Sequence, residues 1–484
     1  MNISKDELAT VLAQFNPWWR NERIPDLPGW HRAAWSELFE WVSAPPAARA
    51  VLLSGARQVG KTTLLLQVVD QLLKDGVPPA NILYATFDHP ILKMAGIDAV
   101  LSAWREREPQ SAGLEYLFLD EAQFMRDAGT WIKHQTDFVK NRRIVFTGSA
   151  MPLIHSGQES GVGRWHTIKL ATLSFYEYLQ LNQVSSSGLP ALPPLGSFRE
   201  LFDWSPADFR KMSDLSSAYT GHFHEYLMRG GFPQTARIDS IQKAQQLLRE
   251  DIIDKVLKRD MTALFGVRRV LELEQVFLYF CMHDGGLLDI PDLCGNLEVK
   301  RPTAMKYIDL LEATHLVYRL LPFGYGKDIL RAKFKIYLAD AAIASAVLLR
   351  GKSILDDPNA LGIATETAVF KHLYTCHYSQ EIRFTHWHGT KNHEVDLVAT
   401  FNNQIIPFEV KYRTQHTGPH ALKGLIEFCR TKSIKNGYVI TKSPDDFGLL
   451  LNTGLPDTNI MKIPAPLLCY WVGESELSRT SVFV

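Results

Sequence analysis

Gly55-Ala56-Arg57-Gln58-Val59-Gly60-Lys61-Thr62 carries the Gly-x4-Gly-Lys-Thr pattern, and its flanks are those the pattern needs. The apolar run Ala50-Val51-Leu52-Leu53 before it reads as a buried strand, and Thr63 to Leu73 after it reads as a packed helix. Glycines let the backbone wrap a polyphosphate, whose charge meets the free N–H groups at the helix start. Gly55, Gly60, Lys61, Thr62 and Thr63 are therefore the expected nucleotide-binding set. Lys61 supplies a point charge, and Thr62 offers its hydroxyl to Mg2+.

The acids that complete such a site are expected downstream. In Glu115-Tyr116-Leu117-Phe118-Leu119-Asp120-Glu121 an apolar strand delivers two carboxylates at its carboxyl end, where ligands sit in an open parallel sheet. Asp120 is expected to hold the Mg2+ shell and Glu121 to act as general base on the attacking water. A further strand, Arg143-Ile144-Val145-Phe146, ends in Thr147-Gly148-Ser149, and the Ser149 hydroxyl is placed to meet the γ-phosphate or that water. Strands at Asn81 to Phe87, Tyr116 to Leu119 and Arg143 to Thr147, with helical stretches between, give the α/β alternation of a parallel sheet.

Composition narrows the class. The 484 residues suggest about three domains. Lys plus Arg and Asp plus Glu are both 52, so no global basic charge announces nucleic acid, and any such contact is local. The five cysteines show no paired metal-ligand spacing and read as reduced thiols. The polar start Met1-Asn2-Ile3-Ser4-Lys5-Asp6-Glu7 is unlike a signal peptide, and no stretch approaches the roughly 18 apolar residues that span a bilayer. A cytoplasmic protein without a membrane partner is the expectation.

The Ser/Gly/Pro-rich run Ser185 to Ser197 reads as a loop, insertion or linker, and the chain beyond it as mostly helical to about Leu321. Leu271 to Leu338 has the grammar of a winged helix-turn-helix. Glu272 to His283 is a first helix, and Asp289 caps a second, Ile290 to Leu297. Lys300-Arg301-Pro302-Thr303 opens a third, with Ala304, Ile308 and Leu311 on one face, and Leu316 to Leu321 and Lys333 to Leu338 make the wing. In a DNA-binding module the third helix enters the major groove, with Lys300, Arg301 and Lys306 on phosphates or base edges. The same module also serves as a rigid lid or protein contact.

A second constellation lies towards the carboxyl end. Asp396 falls in His393-Glu394-Val395-Asp396-Leu397-Val398-Ala399, and Glu409 and Lys411 in Ile405-Ile406-Pro407-Phe408-Glu409-Val410-Lys411. Two hairpin strands would bring Asp396 to Glu409, while Glu409 and Lys411, two apart, share a strand face. Asp396 and Glu409 are the expected metal ligands, with Lys411 orienting a hydrolytic water, and Glu366 on the helix Ala364 to Tyr374 adds a further carboxylate. That set suits metal-assisted phosphodiester cleavage. Glu-x-Lys on a strand is also an ordinary surface pairing.

Taken together, Asn16 to Trp19, the phosphate loop, Asp120-Glu121-Ala122-Gln123, Thr147-Gly148-Ser149, Leu173-Ser174-Phe175-Tyr176-Glu177 and Gly230-Gly231-Phe232-Pro233 resemble a prokaryotic AAA+-like ATPase family. Its members carry a carboxyl-terminal uncharacterised domain with a PD-(D/E)XK, restriction-endonuclease-like core. The resemblance runs from Asn16 past Lys411 and implies a four-part α/β chain. An ASCE-type P-loop ATPase spans 1–180, a loop insertion and helical lid 181–265, a winged helix-turn-helix 266–340, and a nuclease-like α/β domain 341–484. It implies ATP with Mg2+, and a DNA partner. In Glu159-Ser160-Gly161-Val162-Gly163-Arg164 the Gly-Arg pair resembles the family segment in which Arg164 would touch a γ-phosphate, in cis or across a subunit interface. Where the family has Pro-Leu-Ser-Phe, this chain has Thr172-Leu173-Ser174-Phe175, a change expected to affect packing. Two functions stay open. One is an ATP-driven or ATP-gated nuclease on DNA. The other is a STAND-like switch, in which nucleotide state alters contacts with DNA, a protein or a second copy and nothing is cut.

Overall fold

The computed structural model describes residues 3–109, 113–149, 164–184, 188–324, 333–376, 382–389, 393–413 and 417–483. Of the stretches singled out above, Met1 and Asn2, Glu159 to Gly163 and Ser185 to Ser187 lie outside the described residues. The chain divides into two compact units. One comprises Met1–Ala171, Ala263–Gly266 and Ala313–His315, and the other Thr172–Thr262, Val267–Glu312 and Leu316–Val484.

The first unit is built on five parallel strands, β1 (Ala50–Ser54), β2 (Ile82–Thr86), β3 (Glu115–Asp120), β4 (Arg142–Gly148) and β5 (Trp165–Lys169). They lie in the order β2-β3-β4-β1-β5. Every residue of β1 and β3 is buried, as continuous apolar strands covered on both faces require. One strand, β4, separates β1 from β3, so the loop leaving β1 and the acids ending β3 stand about 10 Å apart at the carboxyl end of the sheet. That gap is short enough for side chains to cross. The helix Lys61–Lys74 packs Leu64, Leu65, Val68, Val69 and Leu72 inward.

Strand β2 is one edge of the sheet, and the Asn-Pro-Trp-Trp motif covers it. Asn16 accepts from the Tyr84 N–H (2.8 Å) and donates to the Tyr84 carbonyl (2.9 Å), mimicking a neighbouring strand. The indoles of Trp18 and Trp19 both donate to the Ile82 carbonyl, at 3.2 and 3.0 Å. An unpaired edge is thereby closed to other chains, and Tyr84 is fixed in place.

The second unit begins with helices, among them Phe175–Leu181 and Thr220–Arg229. Helices Val270–Met282, Ile290–Leu297 and Arg301–Ala313 follow. With them goes a small antiparallel sheet, β6 (Leu287–Leu288), β7 (Val317–Leu320) and β8 (Phe334–Leu338), with β8 in the middle. Asp289 caps its helix by accepting from the Asp292 N–H, and Ala304, Ile308 and Leu311 are fully buried. After the helix Pro358–Thr375 come β9 (Arg383–His388), β10 (Glu394–Phe401) and β11 (Gln404–Lys411), the helix Lys423–Lys432, then β12 (Asn436–Thr441), β13 (Gly448–Leu449) and β14 (Asn459–Pro464). The six strands run β13-β14-β12-β11-β10-β9.

Strands β10 and β11 form a two-residue hairpin. Asn402 and Asn403 both take positive φ (45° and 62°), the conformation such a turn needs and asparagine tolerates. The turn sets Phe401 opposite Gln404 and Leu397 opposite Phe408, which brings Asp396 level with Glu409. No helix among the described residues is long and apolar enough to cross a membrane.

Two family-like motifs meet in this unit. The Leu173 N–H donates to the Gly231 carbonyl (2.6 Å), and buried Asp340 accepts from the Gly231 N–H (2.9 Å) and the Thr172 hydroxyl (2.7 Å). Thr172, the departure from proline, therefore adds a hydrogen bond to a buried carboxylate and is more than a packing change. Ser174 and Glu177 form a capping box that starts the next helix.

Candidate functional site

In the first unit the phosphate loop is shaped by two glycines. A Cβ on Gly55 would lie 2.2 Å from the Leu170 carbonyl oxygen, so only glycine lets the chain pass. Gly60 adopts φ +98° at the start of the helix Lys61–Lys74. Arg32 braces the loop by donating to the carbonyls of Val59 and Ala171, both at 2.9 Å. Lys61 is buried and donates to the carbonyls of Gly55 (3.0 Å) and Ala56 (2.9 Å), with Glu121 at 4.0 Å. Thr62 and Thr63 follow it on the first turn, less buried.

Buried Asp120 gathers three hydroxyls. Oδ2 accepts from Thr62 (2.7 Å) and Tyr84 (2.8 Å), and Oδ1 accepts from Thr147. Burial, with Asp120 beside it, pushes the Tyr84 phenol well above its usual range, which keeps it a donor. Thr147 also accepts from the Glu121 N–H (2.9 Å), linking the ends of β3 and β4. Glu121 stands at φ +52°, turned out of the strand. Gln123 donates to its carboxylate and to Ser149 (2.9 Å), and Ser149 donates to Glu121 at 3.3 Å. The sequence-expected residues Gly55, Gly60, Lys61, Thr62, Asp120, Glu121 and Ser149 thus converge at the carboxyl end of the sheet. Thr62 and Asp120 present hard oxygen donors of the kind Mg2+ takes, so this donor set fits that ion.

Arg164 is the exception. Its carbonyl accepts from the Ala50 N–H (3.1 Å), so it flanks the beginning of β1, about 15 Å of strand from the loop at the other end. Its guanidinium pairs with Asp137 at 3.2 Å. The expected contact in cis is corrected by this placement. Sequence reading also missed His315, whose segment belongs to this unit and whose Nε2 lies 2.9 Å from the Ser54 hydroxyl. Burial, with Lys169 and Lys61 nearby, pushes this imidazole down to about 3, so it is neutral.

In the second unit Asp396, Glu409, Lys411 and Glu366 are brought together as expected, with an unexpected fifth member. Lys335, buried on β8, places Nζ 2.9 Å from Asp396 Oδ1 and 3.4 Å from Glu366 Oε1. The other Asp396 oxygen accepts from the Val410 N–H (2.9 Å). Lys411 pairs with Glu409, whose Oε2 accepts from the Asp396 N–H at 3.4 Å. Tyr337, two residues after Lys335 and on the same strand face, donates to Glu366 Oε1 (2.7 Å). Burial, together with the Asp396 charge, pushes Glu409 up to about 8 and Glu366 up to about 7. Burial acts on Asp396 in the same direction, but Lys335 and Lys411 outweigh it and hold that carboxyl below its usual range.

Among the described residues no group of three or more His, Cys, Asp or Glu side chains is arranged to hold a metal ion. Asp396 and Glu409, the expected metal ligands, are each paired with an ammonium group, Lys335 and Lys411 respectively. Lys300, Arg301 and Lys306 are exposed at the start of their helix. Arg301 and Lys306, five residues apart, point about 140° apart around the axis and do not form one stripe.

Comparison with known proteins assigns an AAA domain to residues 47–179, a domain of unknown function, DUF8612, to 220–353, and another, DUF4143, to 361–462. An uncharacterized protein of Haemophilus influenzae is 27% identical over 381 residues, covering 76% of this chain and 84% of that protein. One of Mycobacterium tuberculosis is 25% identical over 373 residues, covering 75% and 70%. Among solved structures, the Aeropyrum pernix ORC1 protein in complex with DNA aligns at TM-score 0.29 and 14% identity, over 67% of this chain and 94% of that one. AMPPCP-bound DnaA from Aquifex aeolicus aligns at 0.26 and 13%, over 60% and 90%. The chain contains an AAA-type ATPase domain.

Proposed function

We propose that this protein binds and hydrolyses Mg2+-ATP and uses that cycle to act on DNA. The observation that carries the reading is the direct hydrogen bond from Thr62 of the phosphate loop to Asp120 at the end of β3, with Glu121 held beside it by Gln123 and Ser149. Gly55, Gly60 and the first-turn N–H groups, Thr63 included, cradle the phosphates, and Lys61 supplies their point charge. Thr62 and Asp120 would hold the ion. When bound, Mg2+ neutralises charge shared by the β- and γ-phosphates. Glu121 takes the proton of the attacking water, and Ser149 and Gln123 fix the direction in which it does so. Arg164 serves a neighbouring copy across an interface.

The DNA-facing reading rests on the order of elements in the second unit. Three helices with a three-stranded sheet suit a winged helix whose exposed Lys300, Arg301 and Lys306 meet phosphates. A helix, a three-stranded antiparallel run, a helix and a parallel strand suit a PD-(D/E)XK nuclease-like domain, with Asp396, Glu409, Lys411 and Glu366 as its acid-lysine set. The Lys335 contact favours the second reading for the arrangement described here, a STAND-like switch that binds DNA or protein without cutting.

The test is incubation of the full chain with linear, circular, single-stranded and branched DNA in Mg2+ or Mn2+, with and without ATP, beside Lys61→Ala and Lys411→Ala. Cleavage lost in Lys411→Ala with ATP turnover intact supports a nuclease. ATP turnover with every substrate uncut leaves the switch.

A further inference from the structure

The nuclease-like reading calls for a divalent cation at Asp396 and Glu409, and the side chains present do not fit one. Asp396 carries the Lys335 ammonium on one oxygen and the Val410 N–H on the other. An ion at the usual Mg2+–oxygen distance of about 2.1 Å would have to coordinate the same carboxylate against that ammonium's positive charge.

We propose that Lys335 is the resident cation of this cluster, standing where a divalent ion would bind and excluding it. Three observations argue for this. First, Lys335 is the charged member of an otherwise apolar and aromatic strand, Phe334-Lys335-Ile336-Tyr337-Leu338, all of it buried. A buried ammonium is costly unless paired, and its partners are the acids of a different part of the chain. Second, β8 is committed to this contact by two residues on one face, since Tyr337 also bonds Glu366 and stacks on Phe370 at 3.9 Å between centroids. Third, three carboxylates, Glu366, Asp396 and Glu409, face two ammonium groups, Lys335 and Lys411. Removing Lys335 takes away the positive charge nearest Asp396 and leaves Lys411 as the remaining base beside these acids. Lys335 lies in the segment matched at 220–353 and the acids in that matched at 361–462, so one module controls the ligand set of the next.

This inference takes from the nuclease-like reading only its oxygen donors, and its test reads ion binding whether or not DNA is cut. Mn2+ binding is measured by calorimetry and by loss of the free-ion EPR signal on the nucleotide-free full chain, beside Lys335→Met, Lys335→Gln and Lys335→Met/Asp396→Asn. The expected result is one additional Mn2+ in Lys335→Met, held at least tenfold more tightly than any ion on the wild-type cluster, and lost again in the double variant. Lys335→Gln, which keeps a donor but not the charge, gains the same ion and stands in if the methionine variant fails to fold. Two results overturn the proposal. One is a wild-type chain that already binds Mn2+ through Asp396 as tightly as the variants. The other is folded Lys335 variants that gain no ion, which would make the cluster an ion-pair network only.

Discussion

Removing the Tyr84 hydroxyl tests whether the sheet edge and the nucleotide site are one construction. Tyr84 is held on β2 by Asn16 and donates to Asp120 at 2.8 Å in a buried setting. In Tyr84→Phe, Asp120 keeps two of its three hydroxyl donors, from Thr62 and Thr147. A hydrogen bond to a charged group contributes roughly 1.5–3 kcal/mol. The chain has two compact units, so a single melting temperature would mix their transitions. Native-state hydrogen exchange of β2 and β3 amides in the full chain reads the effect locally. The expected result is exchange about 10- to 100-fold faster in those strands, since about 1.4 kcal/mol is tenfold. Amides of β10 and β11 should exchange as before. The Mg2+ concentration that gives half-maximal ATP turnover should rise by about tenfold, because a less firmly held Asp120 binds the ion less well. Unchanged exchange in β2 and β3 would refute the reasoning, showing that Asp120 does not depend on the third donor.

Three other changes follow from the structure. His372 is buried, accepts from the Phe175 N–H (2.7 Å), and is pushed down to about 3 by burial and by Lys371 beside it. Its neutral form stabilises the fold fully above the unfolded value near 6.5, and that stability is lost as pH falls from there towards 3, by up to about 5 kcal/mol. His372→Gln should therefore flatten the loss in urea unfolding between pH 6.5 and 4, and an identical slope would contradict this. Asp340→Ala leaves the Thr172 hydroxyl and the Gly231 and Ala342 N–H groups without their acceptor. It should cost about 3 kcal/mol or more in urea unfolding, with Asp340→Asn milder. Gly55→Ala drives a Cβ into the Leu170 carbonyl and should cost about 1–3 kcal/mol while abolishing fluorescent ATP-analogue binding.

What was legible in the sequence was local. The phosphate loop sits between a strand and a helix within a few residues, and Asp120-Glu121 ends an apolar run, so spacing alone placed them. Asp396 and Glu409 could be paired because a hairpin turn fixes register over a short distance. The residues missed reach their sites from far along the chain, where spacing carries no signal. Tyr84 is 36 residues from Asp120, and Lys335 is 61 from Asp396. Lys335 falls in the run Lys333 to Leu338, read as part of a wing because period two reports only which face a residue takes. Arg164 was misplaced for the opposite reason. A motif next to the next strand says nothing about which end of the sheet that strand enters, and parallel pairing with β1 put the arginine at the far end.

The most direct test of the central claim is Mg2+-dependent phosphate release from ATP by the full chain, measured beside Glu121→Gln with nucleotide affinity followed on the same samples. The account predicts that the wild type turns over and that Glu121→Gln binds ATP as well but releases phosphate at least 100-fold more slowly. Turnover unchanged by Glu121→Gln, or a wild-type chain that binds ATP and does not hydrolyse it across Mg2+ and DNA conditions, would contradict it.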